Sequence, residues 1–520
     1  MAIGQGILMT QIELAADLQT GADRTRMVPL AERTVKAGLL TTGGRLFTKC
    51  LDLLTLLILA RFLGPAEFGL VAMAMAPVLI VETVCEMPLS AALLNQKQPT
   101  EAMYDTALTL AALRALTIVI LLVIMAWPLS LFFQEPGLTP LLCVLSLAPA
   151  MRGLVSQRLT DYARVMDFRR DVALDISAKA GALLIASILA ISTGSYWAIA
   201  IGKVSSTAIA MIASYALAPQ RIRFTLREWH LFADMLGWTS ARQILSAINW
   251  QADKIVLPRF VDIGTFGQFS WADTLISVPA QAILQPITPP LYAAFALAKQ
   301  TGSLARVYLK ASAGVFTIMA PLFLLIGMLS APIVAVILGP AWQETAPILT
   351  WLSFAAIGYA PTVLLPALAM SLNRTRVAFE KLALEFCIKV PLIIILTVML
   401  SLEGLLIGHV IAAVVGFLIN LILVGRLLPL GVFSQIADLI RPTISMVPMA
   451  LFLVAAQGIF DPGEGMLATV VNLTWVSALA LAIFGAASLT LWQFAGCPDS
   501  CEATILRMVR KFFRHAVKEA

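Results

Sequence analysis

Residues 41–69 read TTGGRLFTKCLDLLTLLILARFLGPAEFG, and residues 239–267 read TSARQILSAINWQADKIVLPRFVDIGTFG. In the first stretch Thr41, Arg45, Thr48, Lys49, Asp52 and Thr55 recur every three or four positions. In the second, Thr239, Arg242, Ser246, Asn249 and Asp253 do the same. That spacing puts each polar set on one face of a helix. The stretches also end alike: Arg61, Phe62, Phe68, Gly69 and Ala74 return as Arg259, Phe260, Phe266, Gly267 and Ala272, each 198 positions on. Two equivalent amphipathic helices inside an apolar chain predict two lobes facing a wet central cavity, with Arg61, Arg259, Gly69 and Gly267 at the turns that gate it.

The rest of the chain is suited to lipid rather than water. It is 60% apolar and only 13% charged over 520 residues, against about a quarter charged in a soluble domain. Apolar runs of roughly 20 residues, long enough to cross a bilayer as helices, recur from end to end. The expected spans are 37–62, 67–93, 107–133, 138–157, 171–192, 195–218, 235–259, 266–291, 312–337, 346–370, 379–400, 403–425, 438–460 and 466–492. A hydropathy window would miss the amphipathic first and seventh. The predicted fold is therefore an all-α polytopic membrane protein of about 14 transmembrane helices, because only helices and closed barrels satisfy the backbone in hydrocarbon.

The repeat divides the chain. Residues 1–36 form an N-terminal segment, 37–218 a six-helix first lobe, 219–234 a basic linker and 235–428 a six-helix second lobe. Residues 438–492 hold two further helices outside the repeat, and 493–520 a basic tail. Six helices separate the copies, so they start on the same side and form parallel repeats about an axis along the membrane normal. With the N-terminus inside, 26 cations fall on the cytoplasmic side and two, Arg61 and Arg259, outside. The positive-inside rule then places both termini in the cytoplasm. No cleaved signal peptide is expected, since residues 1–36 lack an apolar core. Pro279, Pro286, Pro289 and Pro290 predict a bend or break near the inner end of the eighth helix.

The stretches LARFLGPAEFGLVAMA (59–74), ALLNQKQPTEAMYDTA (92–107), ARVMDFRR (163–170) and APIVAVILGPAWQETAPIL (331–349) resemble polysaccharide repeat-unit flippases of the Wzx type. These belong to the multidrug/oligosaccharidyl-lipid/polysaccharide exporter superfamily. The resemblance runs from about residue 36 to 430. It implies an inner-membrane protein moving a polyprenyl-pyrophosphate-linked oligosaccharide to the periplasmic leaflet by alternating access, for exopolysaccharide, capsule or O-antigen synthesis. It also implies H+ or Na+ coupling, no bound cofactor, and polymerase and chain-length machinery as partners.

Intramembrane charge carries the chemistry, since each such group is costly at a helix centre. Arg45, Lys49, Arg114, Lys203 and Arg242 are the expected pyrophosphate-binding cations of the cavity. Glu82 and Glu86, four apart on the second helix, are candidates for ion coupling, followed by Asp253 and Asp273. Lys49 with Asp52, Asp175 with Lys179, and Glu385 with Lys389 are also spaced as self-neutralising pairs on single helices, and His409 reads as a packing residue. Cys497 and Cys501 have only His515 near them, too few ligands for zinc; no metal is expected.

An enzyme is disfavoured: every outer loop is short and none holds a paired-carboxylate or nucleophile constellation. The nearer rival is a cation-coupled small-molecule antiporter of the multidrug type, on the same fold. Its cavity would favour acids and aromatics, whereas the charges read as lying within the membrane are eight cations against seven acids.

Overall fold

The computed structural model describes residues 24–96, 99–233, 237–460 and 465–496, and among these it holds no β-strand. The main helical segments are α1 (Arg24–Phe62), α2 (Pro65–Val84), α3 (Glu101–Phe133), α4 (Leu138–Gly153), α5 (Arg169–Thr193), α6 (Trp197–Leu217) and α7 (Gly237–Val256). There follow α8 (Ile263–Gln300), α9 (Leu304–Met328), α10 (Thr345–Tyr359), α11 (375–400), α12 (402–427), α13 (Val432–Ala456) and α14 (Met466–Phe494). Each expected span falls on one of these segments. Nine helices among the described residues are long and apolar enough to cross a membrane, and neither α1 nor α7 is among them. Their polar stripes dilute the hydropathy, as the sequence led one to expect.

Several boundaries depart from the sequence reading. The second span ends at Val84; the chain then turns through Glu86 and Pro88 into a short helix, Leu89–Asn95. The fourth is stepped at Ser146, whose hydroxyl bonds back to Cys143 O at 2.7 Å. The ninth is interrupted at Leu329 before a short helix, Ser330–Ile337. The tenth passes through a 3-10 turn, Ala360–Leu364, into Leu365–Ser371. Between α11 and α12 the break expected after residue 400 is present: Ser401 has φ +50° and ψ −128°, incompatible with helix. The proline-rich eighth helix is not broken: α8 continues through Pro279, Pro286, Pro289 and Pro290 to Gln300. Its first turn is capped by Asp262, which accepts from Thr265 N at 2.8 Å and Thr265 Oγ1 at 2.6 Å; these bonds hold the carboxyl below the usual carboxylate range.

The largest core cluster joins the two halves of the chain. It unites Leu59 of α1, Met73 of α2, Ile118 of α3 and Leu141 of α4 with Phe266 and Phe269 of α8, Leu349 of α10 and Ile393 of α11. A second cluster lies within the second half, around Phe295, Tyr308, Phe323 and Leu368. The two C-terminal helices dock on that half: Met449 and Leu453 of α13 and Val476 and Phe484 of α14 pack with Leu325 and Leu329 at the end of α9.

Candidate functional site

A cavity of about 450 Å³ opens between α1, α2, α4, α5, α6 and α8. Its walls are largely apolar, with Leu56, Val71 and Leu145 among them, and its polar groups are Lys49, Asp52 and Thr55 from α1, Lys179 from α5, Lys203 and Ser206 from α6, and Thr274 from α8. Both halves of the chain therefore contribute. Asp52 accepts from Lys179 Nζ at 2.6 Å, an ion pair between α1 and α5. Lys49, which spacing on α1 had offered as its partner, is exposed to the cavity instead. Among the described residues Lys203 has no carboxylate within 4.0 Å. Three ammonium groups thus face one carboxylate in a low-dielectric wall, an arrangement that attracts an anion.

Next to this cavity, Glu82 of α2 is paired with Arg152 of α4 at 2.6 Å, and its carbonyl receives Arg114 Nη2 of α3 at 3.4 Å. The partnership of Arg152 with Glu82 depends on the packing of α4 on α2. Glu86 is not a second carboxylate on the same face. Helix α2 has ended before it, and its amide bonds Thr83 O in the turn. Arg45 is exposed on α1, within electrostatic reach of Asp175 on α5. Arg242 lies on α7, but its side chain is outside the described residues, as are Cys497, Cys501 and His515.

The second half holds its own buried charge cluster. Asp253 of α7, only 7% exposed, lies 3.1 Å from Lys389 Nζ of α11 and 3.3 Å from His409 Nε2 of α12. Lys389 Nζ is also 3.5 Å from Asn249 O. Glu385 pairs with Lys381 at 3.0 Å rather than with Lys389, and Lys254 with Asp273 at 2.8 Å. A smaller cavity, about 210 Å³, adjoins the cluster and is lined by Asn249, Tyr359, Glu385 and Lys389. Of the charges read from spacing as single-helix pairs, Asp52 pairs instead with Lys179 and Lys389 with Asp253, both between helices, while Glu385 takes Lys381, a different i,i+4 neighbour on α11. Spacing sees only neighbours on one helix, whereas a desolvated charge takes the best-placed partner on any helix. His409 is part of the cluster, which no sequence signal indicated.

At the α1–α2 end the two halves close on each other through equivalent residues. A Cβ on Gly69 would fall inside the closest approach of real Cβ atoms to Ile263 O, and one on Gly267 likewise to Pro65 O. Pro65 and Ile263 are themselves 198 positions apart, so the contact is reciprocal, as a two-fold relation between repeats requires. Phe68, Trp271 and Trp342 cover the crossing with ring centroids 5.3, 5.4 and 5.7 Å apart, and Trp342 Nε1 donates to Ala60 O at 3.2 Å. Arg61 completes the seal by donating to Val336 O at 3.0 Å, with its Nη1 only 2.9 Å from where a Cβ on Gly339 (φ +95°) would sit. Arg259, its repeat equivalent, is exposed beyond α7. Arg61→Ala is accordingly expected to leave substrate affinity unchanged while lowering the transport rate several-fold. A matched loss of affinity in a binding assay would move Arg61 into the substrate site.

Residues 58–347, more than half of the chain, match the family model described as polysaccharide biosynthesis protein. The chain belongs to this family. The matched span holds Arg61, Gly69, Gly267, Trp342 and the cavity residues Lys179 and Lys203; it begins after Lys49 and Asp52 and stops short of Lys389 and His409.

Among relatives of this polysaccharide biosynthesis protein, the succinoglycan biosynthesis transport protein ExoT of Rhizobium meliloti (strain 1021) is 26% identical over 312 residues. That alignment covers 58% of this chain and 61% of the relative, less than two thirds of its length. The lipopolysaccharide biosynthesis protein WzxC of Escherichia coli (strain K12) is 20% identical over 400 residues, 75% of this chain and 80% of the relative. In fold, the chain is similar to a structure titled lipid II flippase MurJ, inward closed conformation, with TM-score 0.69 and 13% identity over 88% of this chain and 99% of that one. It is less similar to an inward-facing multidrug resistance MATE family transporter of the MOP superfamily, with TM-score 0.54 and 16% identity over 73% and 95%. The multi-pass helical architecture and the exporter-superfamily resemblance read from the sequence are both borne out.

Proposed function

We propose that this membrane protein is a flippase. It carries polyprenyl-pyrophosphate-linked oligosaccharide repeat units across the bacterial inner membrane to the periplasmic leaflet, for exopolysaccharide, capsule or O-antigen assembly. All fourteen segments cross the bilayer and both termini lie in the cytoplasm. The observation that carries the reading is the cavity shared by the two halves, where Lys49, Lys179 and Lys203 face Asp52 alone beneath a seal made by Gly69, Gly267 and the aromatic triad. The ammonium groups neutralise the pyrophosphate, apolar walls accept the start of the polyprenyl chain, and the sugars occupy the space toward the unsealed side. Arg45 and Arg242, nearer the cytoplasmic ends of α1 and α7, meet the headgroup on entry. Separation of α2 from α8 at the glycine crossing then releases it outward. A proton or sodium gradient drives the cycle through the Asp253 cluster, and the product passes to polymerase and chain-length machinery.

An organic cation would be repelled by the same cavity, which argues against the small-molecule antiporter on this fold. The test is a Lys179→Ala/Lys203→Ala pair. Lipid-linked repeat units should accumulate inside and polymer output fall at least tenfold, at normal protein level. Replacement of both by Arg should restore most of it, because charge is kept. Wild-type output from the alanine pair, or export of a cationic dye that the pair enhances, would overturn the reading.

A further inference from the structure

The segment joining the halves, PQRIRFTLREW (219–229), leaves α6 and runs without helix as far as Leu226. Its backbone is pinned along α3. Gln220 holds the start, accepting from Gln157 N at 2.9 Å and donating Nε2 to Tyr104 O at 3.3 Å. Thr225 N donates to Thr109 Oγ1 at 2.9 Å and Glu228 N to Thr106 Oγ1 at 3.4 Å. Phe232 closes the far end, buried with Leu89, Leu93, Tyr104 and Ala107.

The side chains between these pins are exposed, and they sort into two kinds. Ile222 (65%), Phe224 (69%) and Leu226 (47%) are apolar and recur at every second position of the segment. Arg223 lies between the first two of them and Arg221 and Arg227 flank the set, all three exposed and with no ion pair among the described residues. Trp229, 48% exposed, ends the run. A soluble surface does not hold three large hydrophobes in a fixed row, and the pins rule out collapse onto the protein.

Depth decides what covers them. Helix α3 has 33 residues, about 50 Å at 1.5 Å per residue, against a hydrocarbon core of about 30 Å. About 10 Å therefore protrudes at each end, and Thr106 and Thr109 lie about 8 and 12 Å from its start. The strap thus runs along the boundary between headgroups and acyl chains. A cavity of about 450 Å³ lies beside it, lined by Arg158, Arg221, Arg223, Glu101 and Asp105. Arg158 is committed to Glu101, so two arginines face one remaining carboxylate there.

We propose that residues 219–229 form an interfacial strap that binds the phosphodiester headgroups of anionic lipids, with Ile222, Phe224, Leu226 and Trp229 in the acyl boundary and Arg221, Arg223 and Arg227 on the phosphates. The strap ties the hinge between the lobes to one leaflet, the cytoplasmic one in the topology proposed above. Its binding does not depend on the transported substrate.

The experiment titrates the purified full chain, in neutral detergent, with fluorescent phosphatidylglycerol and with the phosphatidylcholine analogue. The parent should prefer phosphatidylglycerol, and 0.5 M NaCl should remove the preference. Arg221→Gln, Arg223→Gln and Arg227→Gln together should weaken phosphatidylglycerol binding about a hundredfold, roughly fivefold per arginine, while three Lys replacements keep most of it. Phe224→Ser with Trp229→Ser should weaken both lipids alike. A glutamine variant that binds phosphatidylglycerol within twofold of the parent overturns the proposal. So does a preference that survives salt, or competition by glycerol phosphate as strong as by the lipid. Transport is not read in this assay, so failure of the flippase reading would leave its result unchanged.

Discussion

Gly267→Val is expected to abolish export, and Gly69→Val to do the same, at normal levels of inserted protein. At Gly267 an added Cβ would sit 2.8 Å from the Pro65 carbonyl carbon and 3.0 Å from Gly69 N, and closer still to Pro65 O. At Gly69 it would sit 2.9 Å from Ile263 Cγ2 and 3.0 Å from the Ile263 carbonyl carbon. These neighbours are mostly backbone at the starts of α2 and α8 and cannot rotate aside. The helices must separate by about 1 Å, which strips dispersion contacts from the aromatic triad as well. Overpacking of this kind costs about 1–3 kcal/mol or more. At tenfold per 1.4 kcal/mol, the upper end removes the sealed state from a two-state cycle. A cysteine in place of the buried Leu63 (3% exposed) should then react with a membrane-impermeant maleimide in the valine variants and stay protected in the parent. Gly458→Ala, with nothing within 4 Å of the new Cβ, is the silent control. Full export from Gly267→Val with Leu63→Cys still protected would show that the crossing is not the gate.

The largest effect on stability is expected at Lys389. Lys389→Met strands Asp253, 7% exposed, with His409 as its remaining neighbour among the described residues. Removing one partner of a buried ion pair costs about 3–5 kcal/mol, because the other charge is left desolvated, whereas removing both is often close to neutral. The melting temperature of purified Lys389→Met should fall by roughly 10 °C, and Asp253→Asn combined with Lys389→Met should recover most of that loss. Coupling is separated from stability by the same double variant. If the Asp253 cluster carries the driving ion, export by the stable double variant no longer responds to collapse of the gradient. Additive losses in the double variant would mean that Lys389 and Asp253 do not act as a pair.

The helical segments were legible in the sequence because each rule involved is local. Apolar runs of membrane length and polar positions at helical spacing located the segments, down to the break at Ser401 between α11 and α12. The 198-residue repeat, from Arg61 and Arg259 to Ala74 and Ala272, announced two related halves and singled out Gly69 and Gly267. Lys203 was recognisable as facing the cavity because it has no acid at pairing distance on its own helix, whereas for Lys49 spacing left a pairing with Asp52 open. Local rules failed where a neighbour outside the segment decides. Helix α2 stops at Val84 and leaves Glu86 in a turn, off the helix face that spacing had given it with Glu82.

By itself, then, the sequence determined that this is a polytopic helical membrane protein with an internal repeat, and which residues bear charge inside it. Hydrophobic length and periodicity are properties of one segment and need no partner. Only the tertiary structure decided which charges neutralise each other: Asp52 with Lys179, Glu82 with Arg152, and Asp253 with Lys389 beside His409. It also decided that Gly69 and Gly267 meet across the pseudo-two-fold rather than merely shaping their own turns. The reason is the steep distance dependence of both effects. A desolvated ion pair and a backbone crossing are set by separations of about 3 Å, and residues 70 or more positions apart reach that separation only when the helices have packed.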